Sequence, residues 1–181
     1  MGEKETGPVT LPNSRFEKIQ ELVLELLELK KDITRDQPYN WSLIHAISCS
    51  QICKILASAR GLDVELAAIA GVIHDIAIIA TGKFDDHGPL GAPMVKDFLS
   101  CYNNDFGDQY GYISEKEISM IVQATKNHTS KKNFTENNFD ELIKDADSLD
   151  RFLHGIQAHD FYFERSEKAL KDISIDIKDI L

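Results

Sequence analysis

Basic charge is what this chain has least of: 30 acidic residues face 20 lysines and arginines, a formal net charge of −10. Neutralising the phosphates of a nucleic-acid polymer takes a basic surface, so that class of partner is not expected. A small phosphorylated ligand stays compatible, because a bound cation inverts the local field. Cysteine is scarce too. Three residues, an odd number with Cys49 and Cys53 inside an apparent helix, fit reduced thiols rather than a disulfide framework. No apolar run approaches the roughly 20 residues of a membrane span. The N-terminal Met1-Gly2-Glu3-Lys4-Glu5-Thr6-Gly7 lacks the apolar core of a signal peptide. The sequence therefore points to a cytoplasmic protein with no membrane partner. Repeats and low-complexity stretches are missing. Strand-like alternation is confined to Ile173, Ile175 and Ile177.

What is present is a chain of 181 residues, 43% hydrophobic and 28% charged, long enough to close one core without staples. Residues 1–13 read as a flexible tail, and residues 14–181 as one domain. Ser14-Arg15-Phe16-Glu17 has the form of a capping box, followed by apolar residues at helical spacing from Phe16 to Leu27. A second helix runs from about Asn40-Trp41 to Gly61, with His45, Cys49, Ile52, Cys53, Leu56 and Ala59 as its inward stripe. A third starts at Asp63 and carries Leu66, Ile69, Ala70 and Ile73 to a His74-Asp75 pair. Pro89 suits the first turn of a fourth helix with Leu90, Met94, Val95, Phe98 and Leu99 as its buried face. Residues 102–113, rich in Asn, Asp, Gly and Tyr, read as a loop. A second capping box, Ser114 to Glu117, opens a fifth helix ending near His128. A sixth begins at about Phe139, with Leu142, Ile143, Ala146, Leu149, Leu153 and Ile156 at helical spacing, and residues 161–181 allow one or two more pieces. The architecture is all-α.

Adjacent residues on a helix point about 100° apart, so His74 and Asp75 reach one small object only where the helix ends. A metal ion is such an object, and imidazole nitrogen with carboxylate oxygen suits zinc, iron, manganese, nickel or cobalt. His45 lies on the inward stripe of the preceding helix. Asp147 sits within an apolar helical pattern, where an unpaired carboxylate is costly to bury and a cation offsets the cost. Cys49 and Cys53 follow His45 at intervals of four, and small buried hydrophobes are the simpler reading. Arg151 and His154 share the helix face of Asp147. His159 has no role beyond packing.

His45, His74-Asp75 and the unit Ala146-Asp147-Ser148-Leu149 together resemble the H…HD…D signature of the HD-domain metal-dependent phosphohydrolases, an all-α superfamily of helical bundles, here of about six to eight helices. The resemblance spans roughly residues 40–155. It implies His45, His74, Asp75 and Asp147 as metal ligands, with Asp145 the alternative fourth. His87-Gly88-Pro89-Leu90-Gly91-Ala92 and Asn127-His128-Thr129 resemble elements of the HD-type symmetrical diadenosine tetraphosphatases. That likeness implies a second ion served by His87 and His128, with Asp75 bridging and central to catalysis. The implied activity is hydrolysis of a phosphoester or phosphoanhydride of a nucleotide-like substrate with one or two divalent transition-metal ions. Lys83, Lys126, Lys131, Lys132 and Arg151 are candidate phosphate contacts. Departures exist: Ile78 stands where the cyclic-dinucleotide and tetraphosphatase branches commonly carry lysine, and Gly111-Tyr112 is not followed by proline. The rival reading is a non-catalytic nucleotide or metal sensor on the same fold, and a homodimer is compatible with either.

Overall fold

The computed structural model describes residues 14–156 and 160–175. The expected tail 1–13, His159 and Ile177 lie outside them. Among the described residues the chain is helical, in the order α1 (Arg15–Leu29), α2 (Tyr39–Arg60), α3 (Val64–Ile73), α4 (Ile76–Thr81), α5 (His87–Tyr110), α6 (Glu115–Asn127), α7 (Asn138–Leu153) and α8 (Asp160–Asp172).

Local chemistry sets most boundaries. Ser14 and Ser114 form capping boxes with Glu17 and Glu117, so the first free amides of α1 and α6 find oxygens without tertiary help. Asp63 accepts from the Leu66 amide at 2.8 Å and opens α3. Gly61 takes φ 65°, ending α2 in the left-handed turn that L side chains resist.

Every residue of α3 from Leu66 to Ile73 is buried, which makes it the central helix. It packs on α1, α2, α6 and α7. Close approach to α2 depends on Gly71, where a Cβ would lie 2.7 Å from Cys53 Sγ and 2.9 Å from Ser50 Cα. By length and composition alone, α2 and the Val64–Thr81 span are apolar enough to cross a membrane, contrary to the reading of the sequence by runs. Yet 78% of the Val64–Thr81 window is buried inside the protein, as a core helix requires.

Other expectations fail. Residues 102–110 are the last part of α5, not a loop. Tyr102, Phe106 and Tyr110 recur every four residues, and Tyr102 is buried with its hydroxyl donating to Gly111 O at 3.0 Å. Asn103 clasps the following turn, donating to Ile113 O and accepting from Ile113 N, each at 2.8 Å. Tertiary packing overrides weak helix formers here. Leu90, expected to be buried, is 56% exposed, Leu153 and Ile156 are also exposed, and so is Ala59, expected on the inward stripe but standing near the end of α2 where Leu56 and Ala57 are the buried positions. Gly88, Gly91 and Ala92 form the face that α5 turns inward at its start, while Leu153 and Ile156 fall at the end of α7 and just beyond it.

Candidate metal centre

Six elements deliver one side chain or more to a single buried volume. His45 comes from the middle of α2. His74 is the last α-conformation residue after α3, and Asp75, at φ −96° and ψ 23°, breaks the rod before α4. That break turns two sequence neighbours toward one object. His87 opens α5, and His128 closes α6. Their meeting requires α5 to start close against the end of α6. Gly88 allows it, since a Cβ there would lie 2.9 Å from Lys126 O and 3.0 Å from Thr129. Asp147 reaches in from α7.

The imidazoles form a chain, with ring centroids 5.1 Å apart for His45 and His74, and 4.9 Å for both His74 to His128 and His87 to His128. Each is aimed through its other nitrogen. His74 Nδ1 donates to Gly71 O at 2.7 Å, His87 Nδ1 to Phe84 O at 2.5 Å, and His128 Nδ1 to Thr125 O at 2.6 Å, always the carbonyl three residues back. A carbonyl only accepts, so the proton sits on Nδ1 and Nε2 presents its lone pair. His45, in mid-helix, lacks a free carbonyl and donates instead to Asp150 Oδ2 at 2.5 Å.

All four Nε2 atoms converge on Asp75: His45 at 3.4 Å from Oδ2, and His74, His87 and His128 at 3.6, 3.5 and 3.3 Å from Oδ1. His45 Nε2 is also 3.3 Å from Asp147 Oδ1. Nε2 of His45, His74 and His128 and both Asp75 oxygens are buried without a hydrogen bond, which is expensive for polar atoms. Separations of about 3.4 Å are what neighbouring ligands show around an ion with bonds of ~2.1 Å. Two sets fit such an ion, His45 with His74 and Asp147, and His74 with Asp75 and His128, the donor atoms of each lying within 4.8 Å of one another. The residues present therefore suit divalent metal.

Electrostatics agree. Burial pushes His74 down to about 4, so it is a neutral ligand at pH 7. Burial pushes the Asp147 carboxyl up, and Lys131 and Arg151 more than reverse it, holding it well below its usual range. Lys131 Nζ is 2.6 Å from Asp147 Oδ2 and Arg151 Nε 2.9 Å from Oδ1. The Cys49 thiol is pushed well up, first by its hydrogen bond with Cys53 and then by burial, and it belongs to neither donor set.

Sequence-predicted residues divide accordingly. His45, His74, Asp75, His87, His128, Asp147, Lys131 and Arg151 come together. Lys83 does not: its ammonium pairs with Asp36 at 2.7 Å on the surface. Lys126 is exposed, because the inward positions of its helix end are Thr125 and His128. Lys132 lies over the Phe161 ring. Asp145, the alternative ligand, turns to another face of α7, where Arg60, Arg165 and Lys168 hold it. Three groups were not singled out from sequence. Asp150 is one turn beyond Asp147, a spacing that puts both on one face. Trp41 stacks on His45 at 5.2 Å and 17°. Arg165 of α8 is fully buried and donates to Lys131 O at 2.6 Å and Asn133 O at 3.1 Å, tying down the segment that carries Lys131.

The HD domain family matches residues 42–152, more than half of the chain. Ribonuclease Y of Mycoplasma capricolum subsp. capricolum is 30% identical over 149 residues, covering 77% of this chain and 28% of that protein, and Ribonuclease Y of Mycoplasma mycoides subsp. mycoides SC gives the same figures. Ribonuclease Y of Lawsonia intracellularis is 24% identical over 127 residues, covering 69% of this chain and 21% of that protein. The chain thus spans under a third of these relatives' length. No solved structure matches it.

Proposed function

Because the chain belongs to the HD domain family, we propose that it hydrolyses a phosphoester or phosphoanhydride bond of a nucleotide-like substrate, using two divalent transition-metal ions. The observation that carries this reading is the convergence of four imidazole Nε2 atoms on the two unbonded oxygens of buried Asp75. His45, His74 and Asp147 would hold one ion, and Asp75 with His87 and His128 the other. Ions there supply Lewis acidity toward a phosphate oxygen and acidify a water.

The chain's own groups do the rest. Asp75 accepts a hydrogen bond from the attacking water and fixes its direction. Lys131 and Arg151 lie at the Asp147 edge, within reach of phosphate oxygens as point charge and fork. Trp41 stacks on His45 and offers an aromatic border to the site. A second reading, hydrolysis of an RNA phosphodiester, is favoured by the name of the relatives. The net charge of −10 gives a long polymer little to hold on to, so short oligoribonucleotides are the form to test.

The deciding experiment is elemental analysis of protein purified without chelators, wild type against Asp75→Ala, followed by turnover on dinucleoside polyphosphates, nucleoside mono- and triphosphates and short oligoribonucleotides. About two ions per chain and metal-dependent turnover, both lost in Asp75→Ala, are expected. Metal retained with no turnover on any of these substrates would favour the sensor. No metal, even with manganese or iron supplied anaerobically, would remove both readings.

A further inference from the structure

The two donor sets are not electrically equivalent. Within ion-pair distance of Asp75, the described residues present only imidazoles. Asp147 is different: Lys131 Nζ takes Oδ2 at 2.6 Å and Arg151 Nε takes Oδ1 at 2.9 Å. Lys131 is 2% exposed, so this contact is made away from water, where charges interact most strongly. Arg151 sits one helical turn from Asp147 on α7 and is fixed by that geometry. Lys131 arrives on the flexible stem of a lysine from the segment between α6 and α7, and its head can swing.

We propose that the site fills in order, the Asp75, His87 and His128 side first, and that Lys131 is a tethered counter-cation which an ion at His45, His74 and Asp147 must displace. A dication entering the second side meets a carboxylate already neutralised and an ammonium close by. The first side offers an unneutralised carboxylate ringed by lone pairs. Displacement has a use, because the freed ammonium stays tethered beside the ions and can take a phosphate oxygen. This deepens the two-ion reading and rests on it.

Calorimetric titration of manganese(II) into chelator-stripped full-length protein tests it, with electron paramagnetic resonance reporting exchange-coupled pairs. Wild type should bind in two steps, the second at least about tenfold weaker. Lys131→Met, which removes the charge but keeps the length, should tighten the second step about tenfold or more and leave the first within about threefold. Lys131→Arg should keep the weak second step, and melting curves check that both variants fold. If Lys131→Met leaves the second step unchanged or weakens it, or if wild type binds two ions with equal affinity, the proposal is overturned while the two-ion centre survives. Absence of any binding to wild type overturns the centre itself, and the proposal with it.

Discussion

Helix α7 borders two buried polar clusters on different faces, and their carboxylates are neutralised to different degrees. On one face Glu141 and Asp145 are matched by the protein's own cations: Arg165 reaches them at 2.8 and 2.7 Å, Lys144 reaches Glu141 at 2.8 Å, and Arg60 reaches Asp145 at 2.7 Å. On the other, Asp147 has Lys131 and Arg151 at 2.6 and 2.9 Å, whereas Asp75, which enters the same cluster from the junction of α3 and α4, meets only imidazoles. Two acids with their own arginine make structure. An acid ringed by acceptors calls for positive charge from outside, and that contrast, more than any single distance, marks the candidate metal centre.

The contrast can be broken most forcefully at Arg165. Replacing it by methionine leaves Glu141 and Asp145 buried with fewer partners, and a loss of about 3–5 kcal/mol in urea-unfolding stability is expected. Asp75→Asn should do the reverse in metal-free protein, leaving stability unchanged or higher, since it removes a charge that no lysine or arginine balances. A comparable loss in Asp75→Asn would show that the two clusters are the same kind of object. Next in size is the ligand effect. Manganese at about a hundred times its dissociation constant should add about 2.7 kcal/mol to wild type, and nothing to Asp75→Asn, as read from thermal unfolding with and without the ion.

Asp150 sharpens the comparison within the centre. It backs the His45 imidazole through Nδ1, so Asp150→Asn should weaken metal binding about 10- to 100-fold by calorimetry. A variant that binds as tightly as wild type would reduce the contact with His45 to packing. A smaller effect is expected from acid. Burial pushes Glu141 up, and Lys144 and Arg165 more than reverse it, holding the carboxyl at about 2 against an ordinary 4.5. Its folded value is depressed, so the unfolded chain takes up the proton first. The stabilisation is complete above about 4.5 and fades as pH falls toward 2, and Glu141→Gln should flatten that limb of a stability-against-pH curve. Least of all, Lys83→Ala should change neither melting temperature nor turnover, because its pair with Asp36 lies at the surface.

How far the sequence reached follows from what kind of information each feature needs. Helix starts were legible, since capping boxes and Gly61 act through neighbours in the chain. His45, His74-Asp75, His87, His128 and Asp147 were legible as a pattern of residue types in order. The end of α5 was not: Gly107 and the asparagines argue locally for a loop, and only the burial of Tyr102 and the clasp by Asn103 outweigh them. Between Asp145 and Asp147 the spacing left a choice. It is made by Arg60, Arg165 and Lys168, which lie far off in sequence. Asp150 is a middle case, visible from helical periodicity but with nothing local to say that His45 needs a partner.

Arg165 lies thirteen residues beyond the last position matched to the family. A fragment trimmed to that match would keep every proposed ligand, yet it would lose the guanidinium beneath α7 and the hydrogen bonds that hold the Lys131 segment. The boundary of the recognisable motif and the boundary of the cooperative folding unit are then different places on the chain. In a longer protein carrying this domain, a linker should begin only after α8.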